Sequence, residues 1–342
     1  MASSAPPPPP EPSPGSLTSA PPTMGMSCVT MMLGTLSNLA ALVILAKSRA
    51  QIRRRTCTPF LLLTGALLLT DLAGHIIAGT LVLCLHVRGQ EVPPGPICQF
   101  LGACMVFFGL SPLLLGGAMA AERWMGITRP LLHSVAMTTA CACITITVLY
   151  GATLLLAVLP LVAVGHYAPQ FPGTWCFLPM EGPLSAADSA LLVAFSGLGL
   201  LALALSLLCN TTSGLALALR AQRGSRTCRP HSCPSSSSSL SLDREMMAQL
   251  AGVTAVSCIC WCPLLIFILV SVVQRCQLHT HPAPRFEHLL LLALRLASWN
   301  QVLDPWVYIL LRRTVLRRLC RLLRVDRLSS MQSSSSGAPH QH

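Results

Sequence analysis

The chain has 342 residues, 53% of them hydrophobic and only 10% charged, with a mean hydropathy of +0.64. A soluble domain carries about 25% charge, so the composition excludes one and points to a polytopic membrane protein. The net charge of +12 would ordinarily raise nucleic-acid binding, but the basic residues sit between hydrophobic runs, which excludes that reading.

Residues 1–25 are rich in Pro and Ser and contain no Lys or Arg, which predicts a disordered extracellular tail. They lack the charged and apolar regions of a cleavable signal peptide, so the first membrane helix is expected to serve as the targeting signal. Seven apolar spans follow, each near the roughly 20 residues a bilayer requires. They run approximately over Met26–Ala46, Phe60–His86, Ile97–Met125, Ala142–Val164, Ala186–Leu219, Glu245–Val273 and Glu287–Leu311. The predicted fold is therefore an all-α membrane protein, a seven-transmembrane helix bundle over residues 26–311.

Lys47 and eighteen arginines, from Arg49 to Arg327, fall on one side of these spans, against Arg88, Arg275 and Arg285 on the other. The positive-inside rule then places the N-terminus outside and the C-terminus in the cytoplasm. Arg220–Asp243 reads as a flexible polar loop. Residues 312–324, RRTVLRRLCRLLR, have the spacing of a short amphipathic eighth helix on the inner leaflet, with Cys320 a candidate for lipidation. Residues 325–342 read as a disordered cytoplasmic tail. Of the sixteen cysteines most lie in spans or cytoplasmic segments; Cys98 and Cys176, with Cys276 a third candidate, are the extracellular ones.

Span seven carries two charges, Arg295 and Asp304. A charge mid-membrane costs about 2.5–3.5 kcal/mol and usually faces a cavity or a partner. Nine residues of helix put the two about 13 Å apart, too far to pair with each other. Arg295 either snorkels to the outer surface or faces a cavity and binds an anion through its two-pronged guanidinium. Asp304 and Asp71, with Asn38 and Asn300, form a candidate polar cluster near mid-membrane. Three readings stay open there: a sodium site, a proton relay, or a protonated and hydrogen-bonded acid. Glu122-Arg123 closes span three at the cytoplasmic face, and Trp261-Cys262-Pro263 places a kinking proline in span six.

Together Asn38, Asp71, Glu122-Arg123, Cys260–Pro263 and the run Asp304-Pro305-Trp306-Val307-Tyr308 resemble a rhodopsin-type G-protein-coupled receptor. Two departures, Asp304 where most of that superfamily has Asn and a fifth span without a mid-helix proline, are those of the prostanoid receptors. So are the runs 107–112 (FFGLSP), 170–176 (QFPGTWC) and 296–301 (LASWNQ). The resemblance implies that Arg295 and Thr174 bind the carboxylate of a prostanoid lipid acid, with His86 and Trp175 completing the ligand set. It also implies a Cys98–Cys176 disulfide. Trp261, Pro263, Asp71, Asp304 and Tyr308 would then form the activation switch, and Glu122 and Arg123 would meet a heterotrimeric G protein of the Gq class at the plasma membrane. Subtype marks divide. Residues 209–217, 295–299 and the short 87–97 loop are similar to the calcium-mobilising prostaglandin E2 type, whereas His86 and the run 245–250 are thromboxane-like.

The absences agree. No acid lies between Cys98 and Ala121 to anchor an amine, and span seven has no lysine for a retinal Schiff base. Asn210-Thr211-Thr212 fits a glycosylation pattern on the wrong side of the membrane. A transporter or channel would need a continuous polar route and repeat symmetry. An enzyme would need a metal cluster or a nucleophile–base pair, and His75 and His166 stand isolated.

Overall fold

In a bilayer an unpaired backbone amide finds no water, so an apolar run must close its hydrogen bonds within itself as a helix. The structure, a computed structural model, obeys this throughout. It describes residues 23–51, 58–87, 95–162, 164–170, 173, 175–180, 184–227, 235–278 and 286–310. Span one is α1 (Thr23–Gln51). Span two is α2 (Thr58–Gly74) and α3 (Thr80–Val87), joined by a π-helical turn at His75–Gly79. Span three is α4 (Pro96–Thr128), followed by the short α5 (Pro130–Ala136). Span four is α6 (Thr139–Val158), ending in a 3-10 turn. Spans five, six and seven are α7 (Ala186–Thr227), α8 (Ser235–Leu278) and α9 (Phe286–Leu310).

Among the described residues, six helical stretches are long and apolar enough to cross a membrane, from Cys28–Lys47 to Met246–Arg275. The seventh, α9, has the length, but Arg295, Asn300, Gln301 and Asp304 lower its hydropathy. The loop expected over Arg220–Asp243 is corrected: α7 continues to Thr227 and α8 already begins at Ser235, just after Pro234. Proline favours the first helical turn, and no glycine or proline interrupts the serine run that follows. The tail expected over residues 1–25 is corrected at its end, since Thr23, Met24 and Gly25 already belong to α1; its residues 1–22, the expected eighth helix (312–324) with Cys320, and the expected tail 325–342 lie outside the described residues.

α4 is the central strut. It packs on α2, α6, α7 and α8, and at its outer end against a small hairpin. The largest apolar cluster joins Val106, Leu110 and Leu113 of α4 to Phe195 of α7, Leu265 and Ile268 of α8, and Ala297 of α9. The faces turned away from this core are equally apolar: Leu201, Leu205, Leu208 and Leu215 of α7, and Ile144, Val148 and Leu155 of α6, are all exposed. An inner and an outer apolar face is what a lipid-embedded helix requires.

The hairpin adds the only strands among the described residues. β1 (Ala168–Gln170) pairs antiparallel with β2 (Trp175–Phe177) in the register Ala168–Phe177, Pro169–Cys176, Gln170–Trp175. Gly173, at φ +85°, makes the reversal and donates its amide to Gln170 O at 2.7 Å. A disulfide joins Cys176 to Cys98 at the outer end of α4, as the resemblance implied.

Candidate functional site

Two regions gather the chemistry, one under the hairpin and one in the inner half of the bundle. The outer one is an apolar pocket lined by Met105 of α4, Trp175 and Phe177 of β2, Phe195 of α7, Trp261 and Leu264 of α8, and Leu294 of α9. β2 is its roof. Two alternate residues, Trp175 and Phe177, point down from it, as strand geometry dictates, and Phe177 meets Phe195 edge-on with ring centroids 5.2 Å apart. Trp261 is its floor. It can lie close to α4 because Gly109 has no side chain: a Cβ there would come within 2.9 Å of the indole.

The loop holding this roof is anchored twice more. Tyr167 is buried, its ring against Gly102, and its hydroxyl donates to Ala157 O at 2.9 Å. Burial, and then the neighbouring Cys104, push its phenol pKa above the ordinary value. His166 donates its amide to the buried Asp188 Oδ1 at 3.0 Å, and its Nδ1 lies 3.4 Å from Oδ2. His166 is therefore not the isolated histidine the sequence indicated: it ties the loop to the first turn of α7. Arg275, at the end of α8, donates to Met180 O on the far side of the hairpin.

The expected ligand residues are only partly brought together. Trp175 lines the pocket. Arg295 does not. It is exposed on the outer half of α9, one residue from the lining Leu294, on the face that also shows Leu292 and Ser298. Ser298 Oγ donates to the Arg295 carbonyl at 2.7 Å. Consecutive helical residues diverge by about 100°, so the guanidinium and the pocket share a level but not a face. Thr174 lies outside the described residues. His86 falls in α3 and Tyr308 in α9, but their side chains lie outside what the structure describes.

The inner region is polar and closed. Asp71 is wholly buried, near enough to Asp304 for the two carboxylates to interact electrostatically. Asn300 Nδ2 donates to Asp304 Oδ2 at 2.9 Å. Both Asp71 oxygens, Asp304 Oδ1, Asn300 Oδ1 and Asn38 Oδ1 are buried with no hydrogen-bond partner among the described residues. Buried oxygens are normally satisfied, and a set of oxygen donors with two carboxylates suits a hard cation. Asn38, expected in this cluster, turns its amide elsewhere, donating to Gly34 O at 3.0 Å and Gln301 O at 2.9 Å. The supposedly isolated His75 lies beside it; its ring occupies the space a Cβ on Gly34 would need.

At the end of α4 away from the hairpin Arg123 forms a two-pronged pair with Glu122. Both are buried. Glu122 also meets His133 Nε2 at 2.8 Å, reached because α5 doubles back after Pro130 and Gly126 leaves room for the ring. The Arg123 guanidinium lies over the Phe60 ring at 5.0 Å and donates to Met246 Sδ at 3.7 Å. Between spans five and six, Asn210 Nδ2 donates to Thr254 Oγ1 at 2.8 Å, so the glycosylation-like asparagine is buried in a helix contact. Pro263 sits two residues from Trp261 inside α8.

Sequence reasoning missed His133, Met246, Phe60 and the bonding of Gln301. Only Gln301 had a legible cue, since it stands four residues before Pro305.

Among known families, the 7 transmembrane receptor (rhodopsin family) matches residues 37–308. The chain is 45% identical over 332 residues to the prostaglandin E2 receptor EP1 subtype of Canis lupus familiaris, covering 86% of this chain and 80% of that one. It is 43% identical over 296 residues to the thromboxane A2 receptor of Homo sapiens, covering 84% and 83%. Squid rhodopsin superposes with a TM-score of 0.72 at 14% identity, over 88% of this chain and 85% of that one, a likeness of fold.

Proposed function

Since this chain belongs to the rhodopsin family of seven-transmembrane receptors, and within it to the prostanoid receptors, we propose that it is a plasma-membrane receptor for prostaglandin E2. Its N-terminus is extracellular, and it signals through a Gq-class G protein to raise intracellular calcium. One observation carries the lipid-acid reading. The pocket residues Met105, Trp175, Phe177, Phe195, Trp261, Leu264 and Leu294 include no ionisable group, so charge recognition falls to Arg295, one residue along α9, whose long side chain has to swing round from its exposed face to meet the ligand. The apolar chains of the ligand lie beneath Trp175 and Phe177, and its carboxylate meets Arg295 and Thr174, with His86 nearby. Ligand pressing on Trp261 biases span six outward on the inner side and uncovers Arg123. The ligand shifts this equilibrium only by binding the open state better.

Similarity to prostaglandin E2 receptors favours that ligand. The second reading, a thromboxane A2 receptor with the same coupling, draws on the nearly equal identity to that receptor and on His86. Calcium release in transfected cells decides between them. Prostaglandin E2 is expected to act at concentrations at least tenfold below a stable thromboxane mimic, and the reverse order overturns the assignment.

The inner oxygens fit a sodium ion, held by Asp71 and Asp304 with Asn300. When bound it would supply the positive charge two adjacent carboxylates lack. Exchanging sodium for a large organic cation should raise agonist affinity in membranes; no change would remove the ion from the account.

A further inference from the structure

A proline inside a helix leaves the carbonyl four residues earlier without its amide donor. α4 contains Pro112 and α9 contains Pro305, so the carbonyls of Phe108 and Gln301 lose theirs. In a membrane interior such a group can be re-satisfied by a donor on a neighbouring helix. Both are. Gln301 Nε2 donates to Phe108 O at 3.0 Å, and Asn38 Nδ2 donates to Gln301 O at 2.9 Å. One residue stands in both bonds, as donor toward α4 through its side chain and as acceptor from α1 through its own carbonyl. Gly74 of α2 makes the crossing possible, since a Cβ there would approach Phe108 and Gln301 Nε2 to 3.3–3.4 Å.

The turn of α4 loosened by Pro112 is held on a second side. Gly109, next to Phe108, is the residue against which Trp261 packs. Thus the pocket floor and Gln301 grip adjacent residues of the same turn. On α9, Gln301 is preceded by Asn300, which bonds Asp304. We propose that Gln301 is a positioning residue that couples the pocket floor to the inner polar cluster by holding the Pro112-loosened turn of span three. In this conformation Arg123 is 7% exposed, covered by Glu122, Phe60 and Met246. The arrangement is closed toward a G protein, so bonds present in it hold the resting state.

The interhelical bond stands on the geometry alone; its effect on signalling rests on the receptor reading. A double-mutant cycle separates the two. Gln301→Met keeps the length and removes the donor. Pro112→Ala gives Phe108 O an amide of its own. Each variant and the pair are measured in the full chain by thermal unfolding in detergent without ligand, and by basal G-protein nucleotide exchange in membranes. Gln301→Met alone should lower the unfolding temperature and raise basal exchange about three- to tenfold, the range of one interhelical hydrogen bond in a membrane protein. With Pro112→Ala present, both effects should shrink to less than half. An undiminished effect in that background, or none in the first, overturns the proposal. Should Gln301→Met fail to reach the membrane, recovery of expression by Pro112→Ala supports the bond and continued failure overturns it. If the unfolding cycle couples while basal exchange stays flat, the bond stands and the signalling half is refuted.

Discussion

Gly102→Ala offers a direct test of how the roof of the pocket is held. A Cβ at this position would lie 2.4 Å from Cγ and Cδ1 of Tyr167 and 2.9 Å from its Cβ. Carbon atoms do not approach so closely, so ring or helix must move. The ring has little freedom. Tyr167 is 4% exposed, its hydroxyl is bonded to Ala157 O, and the hairpin that begins at the next residue is tied to α4 through Cys176 and Cys98. Overpacking of this kind costs about 1–3 kcal/mol. If the ring swings out, the phenol's hydrogen bond adds about 1 kcal/mol. The sum, about 2–4 kcal/mol, corresponds to a fall of about 3–6 °C in unfolding temperature for a chain of 342 residues, measured on detergent-solubilised receptor. Tyr167→Ala is itself costly, but it empties the space the new methyl needs, so Gly102→Ala should cost almost nothing in that background. A Gly102→Ala protein unfolding within 1 °C of wild type, or a penalty that persists without the Tyr167 ring, would refute the packing argument. The phenol adds a check in pH. Its pKa is raised on folding, so its contribution is complete below the ordinary tyrosine value of about 10 and declines as pH rises beyond it. The stability difference between wild type and Tyr167→Phe should therefore be flat between about pH 6 and 9.

Three further outcomes follow from the geometry. Cys176→Ser releases the strand carrying Trp175 and Phe177, and removal of such a bridge costs about 2–5 kcal/mol; surface ligand binding should fall at least about tenfold, and a reducing agent should weaken wild type while leaving the variant unchanged. Glu122→Gln removes the charge that holds both Arg123 and His133, and breaking a buried pair is strongly destabilising; basal G-protein activation should rise several-fold, and an unchanged basal rate would show that the pair does not restrain the receptor. Asn210→Ala and Thr254→Val each delete the bond between α7 and α8; each should raise basal activation about threefold or more, while the double variant goes no further, and additive effects would count against a shared bond.

Much of this architecture was legible in the sequence, and the limits of that reading have physical reasons. Hydropathy marks where a chain meets hydrocarbon, so it located the spans. It does not mark where helical hydrogen bonding stops, and α7 and α8 therefore extend from either side into the stretch read as a loop. Strands of three residues carry no usable period, so the hairpin was visible only as the run around Trp175. The buried acids Asp71 and Asp304 were conspicuous because charge is rare in a span. The direction of Arg295 was not, because a single residue's azimuth depends on how α9 is rotated against α1 and α8. His133 reaches Glu122 from eleven positions away, and only the reversal of the chain at Pro130 makes the pair.

Span seven is the least self-sufficient of the seven. Its composition falls short of the apolarity that the other six possess, and each mid-span charge opposes insertion by about 2.5–3.5 kcal/mol. The groups that offset this are interhelical. Gln301 is satisfied only when α4 and α1 are in place, and Asp304 is shielded only by the assembled bundle. A helix whose burial depends on its neighbours has a position that those neighbours set. α6, by contrast, presents largely apolar faces and has the apolarity to span alone. The same polarity that makes α9 marginal as a membrane segment places Arg295 level with the outer pocket and Asp304 in the inner polar cluster on one helix.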